Sequence, residues 1–212
     1  MEIENQWLRR QLRGVAYRQN HSLCEKIVLQ NHHYSVEAAE MISHFLAEPT
    51  PNDPIRSFAS WVTLLNLTDV KEYPVCQERN CTLRSICESF TNSRLVDVTL
   101  SNLQMRGDDF NLFDDLFGKC SLRKLCIYNI GLGEVGMMKL THILTKEVTG
   151  DDIGCVAEVL EKLHIDSPNL GSGCCEAVAL ILQRSQNLED IKFCSGSSTN
   201  EEGDILTLAL DR

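Results

Sequence analysis

No apolar run in this 212-residue chain reaches the roughly 18–20 residues that cross a bilayer, so no membrane-spanning helix is expected. The opening residues, MEIENQWLRR, lack the apolar core of a secretory signal, which points to a cytoplasmic protein. Basic residues are scarce. Twenty Lys and Arg stand against 30 Asp and Glu, a formal charge of −10, which argues against nucleic acid and is compatible with a basic protein partner. There are only 5 prolines, and Pro49, Pro51 and Pro54 fall close together, so that stretch is expected to be a loop. Aromatic residues make up only 6%, yet 43% hydrophobic and 24% charged content is ordinary for a folded globular chain.

Several chemical motifs are missing as well. The chain has no phosphate-cradling P-loop, no His-Glu-x-x-His and no Gly-x-Ser-x-Gly nucleophile turn. No set of nucleophile, base and orienting group stands out, so the chain is not expected to be an enzyme, and neither cofactor nor metal is expected.

Cysteine, by contrast, is plentiful, with 10 residues scattered from Cys24 to Cys194. Without a secretory signal these read as reduced thiols acting as small hydrophobes, not as a disulfide framework. The same absence makes the sequons at Asn20, Asn66 and Asn80 chance occurrences. Cys76, Cys81 and Cys87 have spacings looser than the paired ligands of structural zinc sites, so they read as apolar filling.

The most informative positive feature is a phrase that returns. Leu122-x-x-Leu125-x-Ile127 is repeated by Leu160-x-x-Leu163-x-Ile165 and Leu188-x-x-Ile191-x-Phe193, and anticipated by Leu95-x-x-Val98-x-Leu100. Each copy leads through a turn to an apolar run at helical spacing, such as Met137, Leu140, Ile143 and Leu144 after the first. Short strand, turn and helix in recurring order mark a leucine-rich repeat, whose units must stack to bury their apolar faces. The expected fold is α/β, a right-handed solenoid with a parallel sheet inside and helices outside. Strands are predicted near 27–29, 98–100, 125–128, 163–165 and 191–193.

Residues 1–212 read as one repeat domain. Residues 1–20 form a flanking helix, 24–94 are eroded repeats and 95–212 are clearer ones. Cys24-x-x-Ile27-x-Leu29, followed by Met41, Ile42, Phe45 and Leu46, is the best early copy. Phe58-x-x-Trp61-x-Thr63-x-x-Asn66 fits the frame, but Lys71 to Cys81 shows no clean helical period, and the register of residues 66–94 stays open. The interval from Leu122 to Leu160 is too long for one unit. Its surplus is placed around Thr149–Gly154, as a turn and a lengthened helix. Ile205, Leu206, Leu208 and Leu210 read as a final helix.

The unit length, the strand–helix alternation and the Gly173-Cys174 phrase opening a helix resemble the ribonuclease-inhibitor class of leucine-rich repeats. That class carries Asn or Cys at a fixed turn site, which here holds His32, Leu103, Ile130, Pro168 and Gly196, with Asn66 conforming. Asn31, Asn102, Asn129 and Asn169 sit one place away, so the turn is expected to differ. The irregular, cysteine-rich repeats are most similar to the sensor regions of nucleotide-binding, leucine-rich (NOD-like) receptors of innate immunity. The resemblance implies a ligand-sensing or autoinhibitory module within a longer receptor chain. Lacking a P-loop, the chain would be the sensor part only.

Gly131-Leu-Gly133-Glu-Val-Gly136 matches a dinucleotide-binding fingerprint, but the strand before it alternates where a buried parallel strand should be continuously apolar. The motif is therefore read as a turn. A protein-binding function fits better, with contacts on the concave sheet face from Asp97, Lys124, Tyr128, Lys162, His164, Asp166, Asp190 and Lys192. Tyr128 is the best anchor, since aromatic side chains dominate interface energetics. The alternative is an enzyme regulator resembling GTPase-activating leucine-rich proteins, for which Arg106 or Arg123 would be the supplied arginine.

Overall fold

The computed structural model describes residues 26–30, 33–34, 36–47, 49–50, 53–72, 81–91, 93–117, 121–147, 154–167, 170 and 172–195. The expected flanking helix at 1–20 and final helix at 205–210 lie outside them. In chain order the elements begin with β1 (Lys26–Gln30), β2 (His33–Tyr34), α1 (Val36–Ala47), β3 (Pro49–Thr50) and β4 (Asp53–Ser57). Then come β5 (Leu64–Thr68), β6 (Lys71–Glu72), α2 (Cys81–Glu88), β7 (Asp97–Ser101), α3 (Leu112–Phe117) and β8 (Lys124–Tyr128). They continue with α4 (Gly133–Thr145), α5 (Val156–Val159), β9 (Lys162–Ser167), α6 (Ser172–Arg184) and β10 (Asp190–Ser195).

Six strands form one sheet in the order β1-β5-β7-β8-β9-β10, every pair parallel and in unbroken register. This is the α/β architecture that the repeated phrase predicts, with all five expected strands in place. Alternation settles which face is covered. Leu65, Leu67, Val98, Leu100, Leu125, Ile127, Leu163 and Ile165 are each 0–1% exposed, while their neighbours point to the open side.

The helices meet the strands by a fixed count. Thirteen, sixteen and seventeen residues beyond Leu29, Leu100, Ile127 and Ile165 stand Ile42, Phe45, Leu46; Phe113, Leu116, Phe117; Leu140, Ile143, Leu144; and Val178, Ile181, Leu182. All join the apolar core, Phe45 from its partly buried margin. Three and four residues return to one helix face, so each trio forms a stripe aimed at the sheet. Phe110, Phe113 and Phe117 pack in sequence with their rings tilted against one another, centroids 5.6 and 5.1 Å apart.

The structure corrects four expectations. The second repeat runs Val62-x-x-Leu65-x-Leu67, four residues later than the expected frame, because Phe58–Trp61 is a 3-10 turn. Asn66 therefore lies on the open sheet face, not at the turn site. The helix of that repeat buries Leu83, Ile86 and Cys87, each three residues beyond the usual count from Leu67. The inserted residues obscure its period when the sequence is read alone. The proline-rich segment is not a plain loop: β3 and β4 pair antiparallel. Finally, α4 ends at Thr145 without lengthening; part of the surplus before Leu160 is the separate α5.

The turn leaving each strand also has a physical cause. Asp69, Asn102 and Asn129, one place before the usual Asn/Cys site, take φ of 52, 53 and 49°. Asp and Asn tolerate this left-handed region better than other side-chain-bearing residues. Their backbone N–H groups donate to the carbonyls of Ser101, Tyr128 and Asp166 on the following strand, at 3.0, 2.9 and 2.7 Å. Their side chains join as well: Asn102 Nδ2 donates to Asp69 Oδ2 at 3.2 Å, and Asn129 Nδ2 to Asn102 Oδ1 at 2.9 Å.

Candidate functional site

Parallel register turns the open face into three straight rows of side chains. The first is Lys26, Leu64, Asp97, Lys124, Lys162 and Asp190; the second is Val28, Asn66, Thr99, Cys126, His164 and Lys192. The third is Gln30, Thr68, Ser101, Tyr128, Asp166 and Cys194. All eight sequence-predicted contact residues fall in these rows. Sequence reasoning missed Leu64, Asn66 and Thr68, because the slipped frame of the second repeat hid that β5 lines the face. Counting back from Leu65 and Leu67 would have found them.

The charged residues are not independent side chains. His164, its side chain 15% exposed, places Nε2 2.7 Å from Asp190 Oδ1 and Nδ1 3.3 Å from the Tyr128 hydroxyl. Lys162 Nζ reaches the other Asp190 oxygen at 2.7 Å. One carboxylate thus serves two partners on the neighbouring strand. Hydrogen bonds from Lys162 and then His164 hold the Asp190 carboxyl below its ordinary value, and the Asp190 bond holds the Lys162 ammonium above its own. Tyr128 is pushed up to about 12, first by desolvation and then by its hydrogen bond with Cys126. Desolvation likewise raises the Cys126 thiol. Lys192 and Asp166 approach more loosely, at 3.8 Å.

The motifs declined on sequence have structural roles here. Gly131 and Gly133 turn the chain at φ of 69 and 54°. Gly136 is pressed against Phe110, where an added Cβ would lie 2.8 Å from Cζ. This glycine is a packing requirement between α4 and the aromatic stack. Among the described residues no three His, Cys, Asp or Glu are grouped to hold a metal ion; Cys76 lies outside them. Cys87 is buried, and desolvation raises its thiol. Arg123 is committed within the fold, donating from Nη1 to the Val159 carbonyl at 2.9 Å. Arg106 is exposed, at the start of a 3-10 turn whose Asp109 carboxylate accepts its backbone N–H. Among the described residues, no helix is long and apolar enough to cross a membrane.

No protein-family model and no curated protein matches this chain. Among solved structures it is similar to a Caenorhabditis elegans tropomodulin C-terminal domain, with a TM-score of 0.54 at 14% identity. The likeness covers 82% of this chain and 92% of that one. That domain is a leucine-rich repeat, and the parallel sheet with alternating helices places this chain in the same fold class. At this identity the likeness speaks for the fold alone.

Proposed function

We propose that this protein is a non-catalytic, cytoplasmic binding module whose open sheet face holds a protein partner. The observation that carries the reading is the linked set of Tyr128, His164, Asp190 and Lys162, four polar side chains held in position on one open sheet face. Fixing side chains before contact lowers the entropy cost of association. The leucine-rich repeat fold supports protein interaction as a class. The finer assignment, a ligand-sensing or autoinhibitory region of a NOD-like innate-immune receptor, rests on the irregular, cysteine-rich repeats. For the GTPase-activating alternative, Arg123 already gives one guanidinium N–H to the Val159 carbonyl, while Arg106 is exposed.

The test is a pull-down comparing wild type with Tyr128→Ala combined with Lys162→Glu. Partner recovery should fall while thermal stability holds, because both side chains leave the core untouched. Unchanged recovery would remove the sheet face from consideration. Nucleotide binding measured alongside should be absent; micromolar affinity would restore the Gly131–Gly136 motif as a site.

A further inference from the structure

Building on the sheet face as a protein contact, we infer that the β8–β9 end of this face receives a basic side chain, arginine above all, held by Tyr128 and the Asp166 carboxylate.

The inference follows from the direction of three hydrogen bonds. Asp190 is a carboxylate with no proton to give, so His164 Nε2 must carry the N–H across the 2.7 Å contact. In a neutral imidazole the other nitrogen is then a lone-pair acceptor. Beside a neutral imidazole the Tyr128 hydroxyl, 3.3 Å from Nδ1, donates its only proton inward. Its oxygen keeps lone pairs alone for the outside. The Cys126 sulfur is a second acceptor for that same proton, so the proton stays within the fold on either partner and both lone pairs face outward. A partner that satisfies Tyr128 must bring a hydrogen-bond donor.

The surroundings select a charged donor. Tyr128 stands opposite Asp166 in register, on strands about 4.8 Å apart. Lys192 Nζ lies 3.8 Å from Asp166 Oδ2, beyond hydrogen-bond length, so this carboxylate keeps acceptor capacity. The rest of that row, Gln30, Thr68, Ser101 and Cys194, carries no charge. A guanidinium can stack on the Tyr128 ring while its fork meets the carboxylate, a geometry that an ammonium lacks. A partner carboxylate would instead face Asp166 and an oxygen with no proton to offer. The net charge of −10 draws cationic partners toward the whole molecule.

Two measurements on the whole chain test this. Nitrogen-15 NMR of the imidazoles at pH 8, where histidine is mostly neutral, should show His164 as the Nε2–H tautomer in wild type, with that preference lost in Asp190→Asn. Backbone NMR titrations should compare tetra-arginine with tetra-glutamate. Tetra-arginine should move the Tyr128 and Asp166 signals, with affinity falling about tenfold in Asp166→Asn and about fivefold in Tyr128→Phe, which keeps the ring. An Nδ1–H tautomer, a stronger response to tetra-glutamate, or no response to either peptide would overturn the inference. Neither arm uses the pull-down partner, so failure here leaves the sheet-face reading standing, and a failed pull-down leaves this chemistry standing.

Discussion

The side-chain amide of Asn129 donates to Oδ1 of Asn102 at 2.9 Å, joining the turns that leave two neighbouring strands. Asn102 passes the same kind of bond to Asp69. Each of the three also gives its backbone N–H to the next strand, so an Asp or Asn at this place both satisfies the turn and ties adjacent repeats together.

Asn102→Ala should therefore destabilise the fold by about 2 kcal/mol, combining the left-handed backbone cost with a lost hydrogen bond. Asn102→Gly should cost about half as much, since glycine accepts φ of 53° freely. Urea unfolding of the two variants checks the order. Equal losses would mean that the backbone conformation contributes nothing.

Gly136→Ala should cost about 1–3 kcal/mol, the usual range for overpacking. The new methyl would meet Phe110 Cζ at 2.8 Å and Leu132 Cδ2 at 3.1 Å inside the core. Thermal unfolding reads this directly. A neutral result would show that the aromatic stack has room to shift.

Leu125→Ala or Leu163→Ala should each destabilise by about 2–5 kcal/mol, as for other buried apolar truncations. Both are 0–1% exposed and sit between helix trios and neighbouring strands. Circular dichroism melts suffice. Losses under 1 kcal/mol would contradict a continuous core at that point.

Among Cys87, Cys126, Cys155, Cys174, Cys175 and Cys194, the last should react first with a thiol reagent, because the other five are buried. Mass spectrometry after brief labelling identifies the order. Burial raises the Cys87, Cys126 and Cys155 thiols above the ordinary value of 9.0. The unfolded chain then releases these protons first. Stability should be fully present below pH 9 and decline as pH rises beyond it. A flat profile from pH 8 to 11 would refute that coupling.

The alternation of Leu125, Ile127, Leu163 and Ile165 was legible as strand, and the apolar spacing of α1, α4 and α6 as helix, because both periods are local backbone properties. The second repeat was not. A 3-10 turn at Phe58–Trp61 and extra residues before α2 break the fixed count from strand to helix, and nothing local marks the break. That the eight proposed contact residues share one sheet face was legible because a parallel solenoid keeps one register from strand to strand. Their bonding was not. That Asp190 holds both Lys162 and His164, and that the Tyr128 hydroxyl meets His164, depends on rotamers chosen across strands far apart in sequence.

The sequence by itself thus determined the class of fold and, outside the second repeat, the side of the sheet that the strand residues face, since periods of 2 and 3.6 are written residue by residue. Only the tertiary structure decided which of those residues act together. Asn102 as a link between repeats, Gly136 as the seat of Phe110 and Arg123 as a bond to Val159 all arise from contacts between neighbouring repeats. Such contacts depend on the relative placement of two units, which the pattern within either one does not specify.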